Sequence, residues 1–251
     1  MDHTDAAKGE RQMTGGLSVS DLSFDYGSKK ALDHVSIDVP PATFCALLGP
    51  NGAGKSTLTA LLTRLLVAPA GEIHVAGHDL RKHPRRALGD LGVVFQQSTL
   101  DLNLTVRQNL AYFAALHGLP RSEVPGRIDA ALDRLDMRQR ADERAGGLNG
   151  GHRRRTELAR SLLHDPKVLL LDEPTVGLDA AARSAITDHV HDLAAQGLCV
   201  LWTTHLTDEV RDGDQLIVLH RGRVLTHGQA GVLRGDHTLS NWFLAQTGEA
   251  A

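Results

Sequence analysis

Residues 49–57 read "GPNGAGKST" and directly follow the apolar run Phe44–Leu48. Hydrophobicity in that run is continuous rather than alternating, the mark of a strand covered on both faces, as in a parallel sheet. Gly49, Gly54, Lys55 and Ser56 stand in the register of a phosphate-binding loop, between that strand and an expected helix, Lys55–Leu66. The glycines let the backbone curl so that successive N–H groups point at phosphate oxygens. Lys55 adds positive charge near the terminal phosphates, and the Ser56 hydroxyl is placed to ligand Mg²⁺. The helix beginning there contributes its positive dipole end. This strand–loop–helix context favours a phosphate site over a glycine turn with an incidental Lys-Ser pair.

Working outward, four more apolar runs of the same kind appear: Val93–Phe95, Val168–Leu171, Leu198–Trp202 and Leu216–Leu219. Between them lie helical patterns at Thr105–His117, Ser122–Leu135, Arg153–Leu163 and Ala180–Ala195. Strands alternating with helices predict an α/β fold. The alternation breaks from about residue 97 to residue 163, which predicts a mostly helical insert. Ahead of the first buried run, "LSVSDLSFDYG" and "ALDHVSIDV" alternate apolar and polar residues, as a half-exposed antiparallel hairpin does.

Ligands of open α/β sheets gather beyond the carboxyl ends of the strands, so the residue after each run is a candidate. After Val168–Leu171 comes "DEP". There Asp172 suits a metal holder, and Glu173 suits orienting or deprotonating an attacking water. After Leu198–Trp202 comes "TTH", whose His205 is placed to donate to a phosphate oxygen. After Val93–Phe95 comes Gln96, which can reach water or Mg²⁺ at the same point. Leu100, Leu102 and Leu104 then follow, either partly exposed for a partner or tucked under the helical insert.

A second glycine signature, "LNGGHRRR" at 148–155, precedes an expected helix. Gly150 and Gly151 read as a backbone nest ahead of the helix N-terminus, again aimed at phosphate. Arg153 and Glu157 stand four apart and are expected to pair.

The bulk properties narrow the function. The chain has 251 residues, with 27 Lys+Arg against 30 Asp+Glu and a net charge of −3, so it lacks the basic surplus of a nucleic-acid binder. Cys45 and Cys199 lie inside apolar runs and fit buried thiols in a reducing compartment. No apolar stretch approaches membrane-span length, and the polar first sixteen residues read as a disordered leader rather than a secretory signal. The other thirteen histidines show no zinc-type spacing. In "TLSNWFLAQT", Trp242 and Phe243 are expected to pack on the core from a short helix.

Taken in order, "GPNGAGKST", Gln96, "LNGGH", "VLLLDEPTVGLD" and "TTH" resemble the nucleotide-binding domain of ATP-binding cassette (ABC) transporters over roughly Leu17 to Leu233. That resemblance implies a P-loop NTPase of α/β class: a RecA-like parallel core sheet, an antiparallel β subdomain and an inserted α-helical subdomain. The implied division is a leader at 1–16, an ATP-binding unit at 17–234 with its helical part at about 97–164, and a C-terminal tail at 235–251. The cofactors implied are ATP and Mg²⁺. ATP contacts fall on Tyr26 against adenine and on Gly49, Pro50, Asn51, Gly52, Ala53, Gly54, Lys55, Ser56 and Thr57. Ser56, Gln96 and Asp172 are assigned to the metal, and Glu173, His205 and Gln96 to catalysis. The signature Leu148, Asn149, Gly150, Gly151 and His152 is implied to act on the ATP of a second copy, with Asp179 linking the two sites of the homodimer. A separate multispanning permease is the implied partner, no nucleic acid is expected, and the location is peripheral on the cytoplasmic face of the membrane.

At finer grain, "LDEPTVGLD" and the arginine-rich helix resemble the ABC-2 exporter branch. "GVVFQQSTLDLNLTVRQNL" with "LNGGHRRR" resembles the ATPase found beside pyrroloquinoline-quinone-dependent alcohol dehydrogenase systems. The usual family signature has Ser at position 149 and Gln at position 152. Asn149 and His152 depart from it, which implies weak turnover by the isolated subunit and a pH-sensitive affinity. Competing readings are a GTPase or nucleotide kinase, which lacks support because no "NKxD" guanine-reading motif is present, a soluble ABC-type ATPase without a transport role, and a weakly hydrolysing regulatory subunit.

Overall fold

The computed structural model describes residues 15–248, so the expected leader lies almost wholly outside the described residues. Two sheets organise them. Strands β1 (Leu17–Tyr26), β2 (Lys29–Val39), β4 (Ala70–Val75) and β5 (His78–Asp79) form an antiparallel sheet in the order β2-β1-β4-β5. The hairpin expected at its start is β1 with β2, registered from Leu17 opposite Val39 to Tyr26 opposite Lys29.

The second sheet contains β3 (Thr43–Leu48), β6 (Leu91–Val94), β7 (Val168–Asp172), β8 (Cys199–Thr204), β9 (Gln215–His220) and β10 (Arg223–Gln229), in the order β10-β9-β3-β8-β7-β6. Every pairing in it is parallel except β10 with β9. Its runs are continuously apolar because both faces are covered. Ala46, Leu48, Leu169, Leu171, Val200 and Trp202 point into one core, shared with helices, while Cys45, Leu47, Val168, Leu170, Cys199 and Leu201 point into the other. That second core is closed by the antiparallel sheet and by α1 (Lys55–Leu62). Both cysteines are free and buried, and burial pushes the Cys199 thiol up to about 12, which makes it an inert packing group.

Between β6 and β7 the chain is helical: α3 (Val106–Leu116), α4 (Val124–Arg134), two short 3-10 turns and α5 (Gly150–Ser161). Elsewhere lie α2 (Pro84–Gly89), α6 (Ala180–Ala195), α7 (Ala230–Arg234) and α8 (Leu239–Thr247). Phe243 on α8 is buried in the helical-side core, with Trp242 packed against it.

Several expected boundaries move for local reasons. Helix α1 stops at Leu62 rather than Leu66, because Arg64 turns left-handed at φ 59°. Helix α4 starts at Val124, with Pro125 in its first turn, where a missing N–H costs nothing. Strand β6 begins two residues early at Leu91 and ends at Val94, and the Phe95 carbonyl turns away to accept from Arg154 at 2.7 Å. Of the three leucines after Gln96, Leu100 is buried, Leu104 is half-buried and only Leu102 is exposed.

Candidate nucleotide site

Strand register assembles the site. Leu48 lies opposite Thr204, Asp172 opposite Thr203, and Val94 opposite Leu171. The residues just beyond, Gly49, His205, Glu173 and Gln96, therefore emerge along one edge of the sheet. Four positions far apart in sequence meet because their strands are parallel and in step.

Glu173 is the centre of this edge. Its carboxylate lies 3.4 Å from the Lys55 ammonium and 3.5 Å from His205 Nδ1, and it accepts from Gln96 Nε2 at 3.2 Å. Its backbone is left-handed (φ 44°), held by bonds from its N–H to the Thr203 carbonyl at 3.0 Å and hydroxyl at 3.1 Å. Such strain in a non-glycine residue persists only where surroundings fix it, and it commonly marks a functional position. Asp172 sits behind, buried, and accepts from the Thr203 hydroxyl at 2.6 Å. Burial raises its pKa above the ordinary carboxylate value, with the neighbouring Glu173 adding to the rise.

Lys55 is only 5% exposed, yet its charge is satisfied. The ammonium donates to the Gly49 carbonyl at 2.5 Å and the Pro50 carbonyl at 3.3 Å, besides facing Glu173. Gly54 begins helix α1 at φ 113°, where an added Cβ would meet the Ala31 carbonyl at 2.8 Å. No side chain caps α1, so its first N–H groups are open donors at the cleft.

The cleft itself, about 380 Å³, is lined by Tyr26, Pro50, Asn51, Gly52, Gly54, Lys55, Ser56, Thr57 and Glu173. Tyr26 is 52% exposed and stands edge-on to Phe24, offering a ring face to a planar group. Ala53 is buried beneath the loop. Sequence reading missed Lys29, Lys30, Arg221 and Gly222, which also line the cleft. The lysines flank Tyr26 in "YGSKKA", a signal that was available. Arg221 arrives from the β9–β10 turn and no local pattern marks it.

The second glycine signature does not line this cleft. Helix α5 begins at Gly150 rather than Arg153, so both glycines and His152 form its first turn and are no nest ahead of it. The cause is Asn149, whose side-chain oxygen caps the helix by accepting from the His152 N–H at 2.8 Å. Gly150 and Gly151 lie against Leu178 and Ala182, and Asp179 caps α6 by accepting from the Ala182 N–H at 2.8 Å. Residues 149–151 and Asp179 thus share one surface. Leu148 is buried beneath it. Desolvation lowers the pKa of His152, and Arg140 and Arg155 lower it further, which favours the neutral ring. The expected pair of Arg153 with Glu157 is also absent. Arg153 turns back to the carbonyls of Ala145 and Gly146, and Glu157 pairs with Arg154 at 2.8 Å.

Residues 32–176, more than half of the chain, match the ABC transporter family profile. The chain belongs to the ATP-binding proteins of ABC transporters. It is 40% identical over 221 residues to a daunorubicin resistance ATP-binding protein of Streptomyces coeruleorubidus, covering 88% of this chain and 70% of that one. To a Nod factor export ATP-binding protein I of Ralstonia nicotianae it is 39% identical over 214 residues, covering 85% and 67%. Among solved structures, an ATP-binding subunit of an ABC transporter superposes with TM-score 0.80 at 26% identity, covering 92% of this chain and 98% of that one. A subunit of an ABC transporter complex from Clostridium perfringens superposes with TM-score 0.81 at 29% identity, covering 89% and 92%. The fold is that of a P-loop ATPase, and this ABC protein is an ATP-binding ATPase. Among the described residues no helix is long and apolar enough to cross a membrane.

Proposed function

We propose that this ABC ATPase powers a separate, membrane-embedded exporter from the cytoplasmic face, working as a homodimer that closes head-to-tail on ATP. The observation that carries the reading is the convergence of Lys55, Gln96 and His205 on Glu173 in one copy, with the second glycine helix outside that cleft. A lone cleft holds the nucleotide from one side. A second copy, turned so that residues 149–151 face the first copy's terminal phosphate, closes both sites with one patch pair. Both relatives carry names concerned with drug resistance or export, which supports outward transport.

The residues divide the work as follows. The Tyr26 ring stacks on the base, and free backbone N–H groups between Asn51 and Thr57 hold the phosphates with Lys55. ATP entry draws the Lys55 ammonium from Glu173 towards the terminal phosphate, which frees the carboxylate to take a proton from the attacking water. Gln96 and His205, both within reach of Glu173, orient that water and the phosphate oxygens. The donor set also fits Mg²⁺, since the Ser56 hydroxyl is open to the cleft and Asp172 and Gln96 offer further oxygens, the ligands a hard cation prefers. Once bound, Mg²⁺ supplies charge neutralisation at the phosphates.

A groove of about 490 Å³ beside the Gln96 loop suits the permease. It joins Phe95 and Thr99 to the apolar Leu65, Tyr112, Phe113 and Leu116, of which Leu65, Tyr112 and Leu116 are more than 60% exposed.

The test is Glu173→Gln. It should leave ATP binding intact, lower hydrolysis by roughly 10²–10⁴-fold, the usual worth of a positioned base, and trap a dimer on a sizing column in Mg-ATP. Normal turnover by this variant overturns the assignment.

A further inference from the structure

Helix α5 grips the Gln96 loop through a buried polar network that the catalytic scheme leaves unused. Arg154 donates to the Phe95 carbonyl at 2.7 Å, to the Gln96 carbonyl at 2.9 Å and to Glu157 at 2.8 Å. Glu157, 2% exposed, uses its other oxygen to accept from the Thr99 N–H at 2.9 Å. Arg160, one turn further on, donates to the Thr99 carbonyl at 3.1 Å and hydroxyl at 2.5 Å, and its guanidinium lies 4.8 Å from the centre of the Phe113 ring. Backbone groups of three loop residues are therefore held by side chains of one helix.

Burying two arginines and a glutamate is costly, and replacing such a cluster by apolar side chains is often neutral or stabilising. Anchoring a loop by its backbone is a task apolar side chains cannot perform. The grip lies at a meaningful place. Five residues before Arg154 is Asn149, at the start of the helix, and the Gln96 side chain beyond the grip bonds Glu173.

Resting on the dimer reading above, we infer that Arg154 and Glu157 are the positioning pair through which α5 carries the Gln96 loop. Docking of residues 149–151 on a partner's phosphate and placement of Gln96 at its own Glu173 then become one movement. Each copy senses its neighbour's ATP through this rod. Arg153, which bonds only the turn before its own helix, and the exposed face of α5 take no part.

The full chain is tested with Arg154→Lys, which keeps the charge but loses the planar fork that holds three acceptors at once. Glu157→Gln, which keeps an oxygen for the Thr99 amide but drops the ion pair, repeats every measurement should the lysine variant fail to fold. Binding of a fluorescent ATP analogue should stay within about twofold, while kcat falls roughly tenfold or more and KM moves less than about threefold. Hydrogen exchange should quicken across residues 95–104 and stay unchanged across 150–161. Because the arginine acts through the glutamine, Arg154→Lys with Gln96→Ala should be no slower than Gln96→Ala alone. Wild-type kcat, multiplying losses in the double variant, or faster exchange inside α5 itself overturns the inference. The Glu173→Gln control separates the two claims. If it turns over normally the ATPase scheme fails, whereas an inactive control beside a fully active Arg154→Lys removes only this inference.

Discussion

Replacing Asn149 by Asp should drive stability and function in opposite directions. The Asn149 oxygen caps α5 by accepting from the His152 N–H at 2.8 Å. Aspartate keeps that acceptor and adds negative charge at a helix N-terminus, worth about 0.3–1 kcal/mol. For a chain of this size that raises Tm by roughly 1–4 °C. Asn149→Ala, by contrast, loses the cap at a cost of about 1 kcal/mol and should lower Tm by roughly 2–4 °C. If residue 149 faces a partner's phosphate, the new carboxylate meets like charge. Two unit charges roughly 4 Å apart at an effective dielectric near 20 repel by ~4 kcal/mol, about a thousandfold in affinity at each site. The assay is light scattering in Mg-ATP on a Glu173→Gln background, paired with thermal melts. Asn149→Asp should remain monomeric although it melts higher. A dimer of undiminished affinity would refute the placement of the second signature on phosphate.

Three further outcomes are expected. Lys55→Ala removes a buried charge with bonds to two loop carbonyls, and calorimetry should show ATP affinity down by roughly 10–150-fold, the range of a charged hydrogen bond; unchanged affinity would place the phosphates elsewhere. Glu209→Ala strands three donors that the buried carboxylate accepts from: the Thr175 hydroxyl, Trp202 Nε1 at 3.0 Å and the Thr204 hydroxyl at 2.5 Å. At about 1–3 kcal/mol each, urea unfolding should register a loss of at least ~3 kcal/mol, and a loss below ~1 kcal/mol would mean that the network contributes little. His164 concerns pH: burial holds its imidazole at about 4, below the ordinary 6.5, so the unfolded chain takes up the proton first and stability falls as pH drops from 6.5 towards 4. His164→Phe keeps a ring against His117 but cannot titrate, so between pH 7 and 4 it should lose roughly 3 kcal/mol less than the parent; equal losses would exclude His164 as a cause.

The parallel sheet was legible because its strands are covered on both faces, so Phe44–Leu48 and Val168–Leu171 carry no polar interruption to mislead. The strand-end residues were legible for a related reason: each apolar run is followed within a few residues by its reactive side chain, Lys55, Gln96, Glu173 or His205. What the chain hides is what depends on partners distant in sequence. Strand β4 carries Glu72 and His74 among its apolar residues and is specified by pairing with β1, which no local pattern announces. Arg221 enters the cleft from a turn about 165 residues after Lys55, and Arg154 was indistinguishable from Arg153 and Arg155 in a run of three. Only the fold decides which of the three faces the Phe95 carbonyl.

The two glycine signatures differ in a way that gives each a distinct role in the proposed dimer. Helix α1 starts at a glycine with no side-chain cap, inside the cleft, so bound phosphate is the natural acceptor for its open N–H groups. Helix α5 starts at Asn149, which satisfies the His152 N–H from within the chain and leaves the N–H groups of Gly150 and Gly151 as donors. The first helix start is thus incomplete without ligand, whereas the second is stable alone and still able to bind. In the proposed dimer, this asymmetry lets each copy fold before it meets its partner. With both ends bare, the lone copy would carry two frayed helices; with both self-capped, ATP would have little left to complete. Placing Asp179 as the cap of α6 beside Gly150 extends the waiting surface, so in a head-to-tail dimer one docking event engages residues 149–151 and Asp179 together.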